Sequence, residues 1–394
     1  MNEKLTVRNF GPIDYAEVEF KRVTVFIGPT GGGKSTLAKL AAVFRDRDFL
    51  LAESPEVDQR TYDESLHYFG ISGFDRTDTV LSWVSSEVQV SVFGRTLYVE
   101  EIRSLSQEDR EELKLVHLLK RRGLSEADAL SEAEKKELGE LLIASLSRVS
   151  LSAKAPETCY VPAERLFAAA ISSGLAGLVL KGVALPKALL SFLNNFQLAS
   201  QEEDFEVFDI PALGVRHRIV NGINKIELAE KKLVDLALSA SGIQAVVPLM
   251  MVVEHRIHQE GKGRFIVEEP ELNIFPDTQR KVLQDVMKWL GKESDLVTTT
   301  HSPYILSHLN LLLYAHQVAA EHPERADDVA KLVPRESWID PTEFAAYYVG
   351  EGGVRSIVNA DLGLIDDNEL DGIAGDQADA FDNLIRLSKG FAVE

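Results

Sequence analysis

The feature that most constrains the fold is a glycine-rich segment between a buried-strand pattern and a helical pattern. Val23–Ile27 is a mostly apolar run typical of a strand buried inside a sheet. Residues 28–35 match G-x-x-x-x-G-K-[ST], a loop whose backbone N–H groups surround phosphate oxygens at a helix N-terminus. Apolar residues then recur at helical spacing, at Leu37, Leu40, Ala41 and Phe44. The sequence therefore predicts a strand, a phosphate-binding loop and a helix within an α/β fold.

This loop and the residue after it supply the predicted nucleotide contacts. They are Gly28, Pro29, Thr30, Gly31, Gly32, Gly33, Lys34, Ser35 and Thr36. The Lys34 ammonium is expected to reach the β- and γ-phosphates, and the Ser35 hydroxyl is expected to ligate Mg²⁺. A chance match in a surface turn is the alternative, and the flanking strand and helix patterns disfavour it.

Composition and charge narrow the class of protein. A chain of 394 residues with 45% hydrophobic and 26% charged residues fits a soluble globular protein with a large core. No apolar run approaches the roughly 20 residues that span a bilayer, and the N-terminus has no signal-peptide pattern. Cys159 is the only cysteine, which excludes intrachain disulfides and cysteine-based zinc sites. We expect a cytoplasmic protein with no membrane contact.

The formal net charge of −20 bears on nucleic acid as a partner. Binding to nucleic acid depends on neutralising phosphates with Lys and Arg, so a strongly negative chain is a poor sequence-independent DNA binder. A local basic groove is compatible with this charge. We therefore expect the chain to contact nucleic acid only as part of a larger complex.

A second acidic element is predicted far downstream. Phe265, Ile266 and Val267 form a short apolar run that ends in Glu268 and Glu269. A buried strand that delivers carboxylates to its C-terminal end is what a Walker B element requires, because Mg²⁺ binds there. Glu268 is the predicted metal ligand beside Ser35. Glu269 is the predicted catalytic residue that orients or activates the attacking water.

Two further site residues follow from their order in the chain. Residues 296–300 form the next predicted strand, which ends at His301, where an imidazole can contact the γ-phosphate or the water. Between the loop and the Walker B element, Ser241 and Gly242 begin a predicted helix, and a helix N-terminus binds anions. A structural histidine and an ordinary N-cap are the alternatives.

Taken together, these motifs resemble ABC-type ATPases of the AAA family (AAA15/AAA21-like), relatives of the ATPase halves of OLD nucleases and of SMC and RecF-like proteins. The resemblance covers most of the chain. Besides the loop, it rests on residues 2–35 as the opening segment, 160–165, 241–244, 269–276 and 299–303. Thr30 replaces the Asn common in this loop, and the 241–244 signature lacks the Leu-Ser-Gly-Gly-Gln of transporter ATPases, which argues against a transporter. The sequence does not identify the glutamine loop or the adenine-stacking aromatic.

The resemblance implies ATP and Mg²⁺ as cofactors, ATP hydrolysis as activity, and a head-to-tail homodimer or higher homo-oligomer. Each ATP would lie between the P-loop of one subunit and Ser241–Gly242 of the other. Hydrolysis would then loosen the interface and convert nucleotide state into subunit geometry.

The predicted fold class is α/β, a P-loop NTPase of ABC-ATPase type with an antiparallel β lobe and a helical insertion lobe. The predicted parts are an N-terminal core half (1–104), a helical insertion (105–150), a second core half (151–329) and a C-terminal β/α closing segment (330–394). Smaller predicted elements are strands at 4–10, 18–20, 158–161, 205–208, 216–220 and 225–228, a hairpin at 88–99, and helices at 107–122, 125–147 and 166–201. Residues 46–80 show no periodic pattern that assigns them.

The C-terminal segment contains a tempting match to a Toprim nuclease. Glu351 lies near Asp361, Asp366 and Asp367, but these acids occupy a Gly-rich polar stretch without Asp-x-Asp. We therefore expect a small hairpin and a helix that close the ATPase, and no nuclease within the chain.

The leading hypothesis for the role, by resemblance, is the ATPase subunit of a bacterial anti-phage system, in which ATP-dependent dimer closure controls a separate effector, commonly a nuclease. A DNA-repair or recombination ATPase of RecF or SMC type is the alternative. A non-hydrolysing ATP-gated scaffold is a third hypothesis, and the presence of Glu269 and His301 argues against it.

Overall fold

The structure is a computed structural model. It describes residues 3–46, 55–86, 88–101, 157–171, 185–202, 206–228 and 232–366, with a few residues between 368 and 388. The predicted helical insertion at 105–150 lies outside the described residues, as do residues 172–184 of the helix predicted at 166–201.

The described part of the chain contains both strands and helices. The strands are β1 Glu3–Phe10, β2 Ile13–Phe20, β3 Val23–Ile27, β4 Asp75–Val84, β5 Val88–Phe93, β6 Thr96–Glu101, β7 Thr158–Val161, β8 Val207–Ile210, β9 Val215–Val220, β10 Ile223–Glu227, β11 Leu233–Asp235, β12 Arg264–Glu268, β13 Asp295–Thr299, β14 Phe344–Gly350 and β15 Gly353–Ser356. The helices are α1 Lys34–Phe44, α2 Pro55–Tyr68, α3 Phe167–Ile171, α4 Lys187–Gln201, α5 Ser241–Glu260, α6 Pro276–Leu290, α7 Pro303–Glu321 and α8 Ala326–Leu332.

A six-stranded sheet in the order β15-β14-β3-β13-β12-β7 forms the centre of the fold. All its neighbours pair in parallel except the β14–β15 hairpin. Strands β3, β12 and β13 are buried along their whole length, as expected for parallel strands covered on both faces. In the register, Glu268 is opposite Thr299 and Thr299 is opposite Phe26, so these strands end at one edge. That edge carries the candidate site.

The two faces of the central sheet contribute to different cores. Val25 and Val267 pack against helices α5, α6 and α7 on one face. Phe26 and Ile266 point the other way, into a core shared with α1 and a five-stranded antiparallel sheet in the order β2-β1-β4-β5-β6. The alternation follows from the two-residue period of a strand. It places α1, and with it the glycine-rich loop, against the antiparallel sheet.

The predicted α/β P-loop fold with an antiparallel β lobe is confirmed by this arrangement. The predicted strand Val23–Ile27 and the predicted hairpin at 88–99 are both present. The strands predicted near 205–228 form a second antiparallel sheet in the order β11-β10-β9-β8, with a turn at Asn221 and Gly222, both at positive φ. Among the helices of the described residues, none has the length and apolar character needed to cross a bilayer.

The C-terminal segment is more than a closing hairpin. β14 pairs in parallel with β3 over the whole length of β3, so the segment supplies an inner strand of the central sheet. The predicted hairpin is present as β14 and β15, with β15 as the edge strand of the central sheet and β14 beside β3. Glu351 lies in the hairpin turn with φ of 52°, Asp361 is exposed, and Asp367 lies outside the described residues.

Candidate functional site

The glycine-rich loop connects the end of β3 to the first turn of α1. Gly33 adopts a left-handed conformation (φ 107°) as the N-cap of α1, which a residue with a side chain would adopt only with strain. The buried Lys34 Nζ donates hydrogen bonds to the carbonyls of Gly28 and Pro29, each at 2.9 Å. The ammonium therefore folds back over the loop that it is predicted to serve.

The start and middle of the loop leave no room for side chains because the end of β14 lies against them. A Cβ added to Gly28 would lie 2.1 Å from the carbonyl oxygen of Val349, and one added to Gly32 would lie 2.6 Å from the same atom. Gly31, at φ of 80°, faces open space instead. β14 thus supports one side of the loop, and the exposed Gly31 backbone is free to approach a ligand.

The charge balance at Lys34 links the loop to the acids of the predicted Walker B element. Burial lowers the pKa of Lys34, while the nearby carboxylates of Glu269, Glu271 and Glu268 act in the opposite direction. The site therefore holds a buried cation beside several carboxylates. The cation suits a phosphate, and the carboxylates suit a divalent cation.

The two predicted Walker B acids lie at the C-terminal end of β12. Glu268 is its last residue, only 4% exposed, and its Oε1 has no hydrogen-bond partner among the described residues. Glu269 follows with φ of 44°, a left-handed value that is uncommon for a residue with a side chain. Its N–H donates to the carbonyl of Thr299 at 2.9 Å. The turn therefore separates a buried carboxylate from a half-exposed one.

His301 lies beside Glu269, as the order of the strands requires. Its Nε2 is 3.6 Å from Glu269 Oε1. Burial and the positive charge of Lys34 lower the pKa of His301, and the Glu269 carboxylate partly opposes them. The imidazole is consequently neutral near neutral pH and can act as a hydrogen-bond donor or acceptor.

Glu271 is a site residue to which the sequence analysis gave no role. Its Oε1 accepts hydrogen bonds from the Thr300 hydroxyl and from the His301 backbone N–H, both at 2.7 Å. Its Oε2 has no partner among the described residues, and burial raises the pKa of Glu271. A carboxylate two residues after Glu269, within a predicted Walker B turn, is the signal that points to it.

The predicted signature residues lie at the N-terminus of α5. Ser241 is exposed and is the first residue of α5, so the sequence correctly gives the helix start. A Cβ added to Gly242 would meet the Asn273 carbonyl at 2.7 Å, so α5 packs closely on the loop after the Walker B turn. Gln244 Nε2 donates to the carbonyls of Ala237 and Ser239 and stabilises the entry to the helix. The exposed N-terminus of α5 is therefore available to a second molecule.

The residues present fit a hard divalent cation. A carboxylate and a hydroxyl are the oxygen donors that Mg²⁺ prefers, and Glu268 and Ser35 supply them at the ends of β12 and the loop. The unpartnered Glu268 Oε1 is the observation that supports the assignment, because a buried carboxylate oxygen without a partner is costly. Thr36, the next residue of α1, is buried.

No family model and no curated protein match the chain. Solved structures of SMC head domains are similar to it at low identity. A SmcHead bound to the C-winged helix domain of ScpA is 11% identical, with 92% of this chain and 99% of that chain covered and a TM-score of 0.45. A second structure is the Smc head domain with an extended coiled coil bound to the C-terminal domain of ScpA, derived from Pyrococcus furiosus. It is 14% identical, with 90% of this chain and 95% of that chain covered and a TM-score of 0.43. The SMC head domain from Thermotoga maritima is 12% identical, with 91% of this chain and 98% of that chain covered and a TM-score of 0.38. At these values the similarities carry no argument.

Proposed function

We propose that the chain is an ABC-type ATPase that hydrolyses ATP to ADP and phosphate. The observation that carries this proposal is the convergence of Lys34, Glu269 and His301 at one edge of the parallel sheet, with His301 Nε2 3.6 Å from Glu269 Oε1. A phosphate-binding cation, a half-exposed carboxylate and a neutral imidazole are the groups that hydrolysis of a phosphoanhydride needs.

Each group has one part in the proposed reaction. The backbone of residues 28–36 holds the phosphates, and Lys34 exchanges its hydrogen bonds to the loop carbonyls for bonds to the β- and γ-phosphates. Ser35 and Glu268 would hold Mg²⁺, which supplies charge neutralisation on the phosphates when bound. Glu269 accepts a hydrogen bond from the attacking water and orients it. His301 donates to the γ-phosphate or to that water.

The same proposal includes a head-to-tail homodimer. In this arrangement the N-terminus of α5 in one subunit faces the nucleotide of the other, and Ser241 and Gly242 contact the γ-phosphate there. The surface around this N-terminus supports the assignment. Ser241 is exposed, and the apolar side chains of Leu238 and Phe275 are 77% and 76% exposed beside it. Burying these two side chains would favour closure of the dimer.

For the biological role we propose control of a separate effector, a nuclease in bacterial anti-phage defence. The motif order of the sequence supports this role by resemblance. ATP binding would close the dimer and hold the effector in one state, and hydrolysis would release it.

The experiment that tests the activity is steady-state ATP turnover of wild type and four variants. Wild type should hydrolyse ATP, whereas Lys34→Ala, Glu269→Gln and His301→Ala should each lose at least about tenfold in kcat/KM. Asp361→Asn, a change at an exposed acid of the C-terminal segment, is the matched control and should retain wild-type turnover. Turnover by wild type and by Glu269→Gln at the same rate would overturn the proposed site.

The role is tested separately. Purification from the native host should recover a second chain with nuclease activity, and adding ATP should change that activity. Turnover stimulated by DNA in the absence of any second chain would instead favour a repair or recombination ATPase.

A further inference from the structure

Arg165 is the most completely buried charged group close to the candidate site. It lies in a short 3-10 turn, Ala163–Leu166, directly after β7, and its side chain is 0% exposed. Its guanidinium forms no ion pair with a carboxylate among the described residues and is bonded to backbone carbonyls alone. A buried cation satisfied in this way is unusual, because carboxylates are its common partners.

The four carbonyls belong to three different elements. Nη1 donates to Glu268 O at 2.6 Å and to Pro162 O at 3.2 Å, and Nη2 donates to Glu269 O at 2.6 Å. Nε donates to Ala245 O, in the first turns of α5, at 3.2 Å. One planar group thus joins the end of β7, the Walker B turn and the helix that begins at Ser241.

The Glu269 peptide is fixed from both sides by this arrangement. Its N–H is bonded to Thr299 on β13, and its carbonyl is bonded to Arg165. The left-handed φ of 44° at Glu269 is a strained conformation for a residue with a side chain, so the turn keeps it only while its neighbours hold it. Arg165 and Thr299 together therefore decide where the Glu269 carboxylate points.

The electrostatics keep Arg165 charged. Burial lowers the pKa of Arg165 to about 10, and the negative charges of Glu271, Glu269 and Glu268 oppose that effect. The guanidinium remains protonated at neutral pH, so its hydrogen bonds to the carbonyls are charge-assisted and stronger than neutral ones.

We propose that Arg165 is a positioning residue that couples the N-terminus of α5 to the orientation of the Glu268–Glu269 turn within one subunit. This inference rests on the proposed ATPase function. When a second molecule contacts Ser241 and Gly242, α5 moves and the Ala245 carbonyl moves with it. The Arg165 guanidinium follows this carbonyl and shifts the backbone carbonyls of Glu268 and Glu269. Hydrolysis therefore depends on contact between the second molecule and the N-terminus of α5.

Two substitutions distinguish a positioning role of Arg165 in catalysis from a role in stabilising the fold. Arg165→Lys keeps the charge but cannot span carbonyls on opposite sides, and Arg165→Met keeps the length without donors. Both should lower kcat by about 10- to 100-fold while KM for ATP changes by less than about threefold, because the loop and Lys34 are untouched. Arg256→Lys, at an arginine of α5 that is ion-paired with Glu260, is the matched control and should leave kcat unchanged.

Coupling is measured by combining Arg165→Met with Ser241→Ala in single-turnover hydrolysis. If Arg165 transmits the position of α5, the loss caused by Ser241→Ala in the wild-type background should largely disappear in the Arg165→Met background. Losses that multiply independently would overturn the coupling. If Arg165→Lys hydrolyses ATP as fast as the wild-type protein, the inference fails and the proposed function stands. If the wild-type protein itself does not hydrolyse ATP, the proposed function fails and this inference fails with it.

Amide hydrogen exchange on the wild-type protein covers the case in which neither Arg165 variant folds. Peptides containing 163–166, 245–248 and 268–271 should gain protection together on addition of Mg-ATP. Protection of 268–271 without any change in 163–166 and 245–248 would contradict the proposal.

Discussion

The carboxylate of Glu271 accepts the backbone N–H of His301 at 2.7 Å and so fixes the loop after β13 to the loop after β12. The same oxygen accepts the Thr300 hydroxyl. The position of His301 is therefore set by an acid in the loop after the neighbouring strand β12, as well as by its own strand β13. These two hydrogen bonds hold the loops at the ends of β12 and β13 in one arrangement.

Substitution of Glu271 should change catalysis through His301. Glu271→Gln retains an oxygen that accepts both hydrogen bonds, so kcat for ATP should stay within about fivefold of wild type. Glu271→Ala removes the acceptor and should lower kcat by at least about tenfold, with a smaller change in KM. Steady-state turnover measures both, and Glu321→Ala, at an exposed acid of α7, is the control. Equal turnover in the Ala and Gln variants would contradict the positioning role.

The pKa of His301 should respond to its two charged neighbours in opposite directions. Burial and Lys34 lower this pKa, and Glu269 raises it. In the ligand-free protein, Lys34→Met should therefore raise the pKa of His301, and Glu269→Gln should lower it further. Titration of the ring protons by NMR gives the values, with His301→Gln identifying the resonance. A pKa that ignores both substitutions would show that the three side chains do not share one site.

A buried histidine outside the site should make stability fall in mild acid. His308 is 5% exposed, neither ring nitrogen has a hydrogen-bond partner among the described residues, and burial lowers its pKa to about 4. Between the unfolded value of about 6.5 and that folded value, the unfolded chain binds the proton and the folded chain does not. Stability contributed by this residue is therefore complete above about pH 6.5, and up to about 3 kcal/mol is lost as the pH falls toward 4.

Denaturant unfolding across this pH range tests the histidine directly. His308→Phe should flatten the pH dependence, while His322→Gln, at an exposed histidine, should leave it unchanged. The same acid loss in the His308→Phe protein as in wild type would assign the effect to other groups.

Gly28 should not tolerate a side chain, because of the Val349 carbonyl. Gly28→Ala places a methyl group 2.1 Å from that oxygen in addition to the strain of a positive φ. Gly222→Ala has the strain alone, with open space around the new Cβ. The expected loss of unfolding free energy is about 1 kcal/mol for Gly222→Ala and at least about 1–3 kcal/mol more for Gly28→Ala, with weakened nucleotide binding only in the latter. Calorimetry on the two variants measures the difference, and equal losses would contradict the close contact between the loop and β14.

Much of the core fold could be predicted because its signals are local. The strand Val23–Ile27 and the loop after it are specified by a short apolar run and a glycine pattern, and both occur as predicted. The strands that end at Glu268 and near His301 were placed by the same logic. The start of α5 at Ser241 was also correct, because small polar residues before an apolar stretch favour a helix start.

Other features depend on long-range contacts that periodicity does not contain. The helix Pro55–Tyr68 is polar, so its sequence has no apolar stripe from which a helix could be predicted. Phe344–Gly350 reads as part of a small hairpin, and only its pairing with β3 makes it a central strand. The roles of Arg165 and Glu271 arise from hydrogen bonds across about 100 and 30 residues of sequence, which a motif read on its own does not reveal.

The central claim is that ATP closes two copies of this chain around its nucleotide sites and that hydrolysis opens them. Light scattering of Glu269→Gln with and without Mg-ATP, beside wild-type turnover, tests it most directly. The variant should shift to a dimer or larger assembly with ATP and remain there, while wild type should turn ATP over and return to its starting size. A variant whose mass ignores ATP, together with a wild-type protein that does not hydrolyse it, would make the loop a fixed structural nucleotide site and contradict the account.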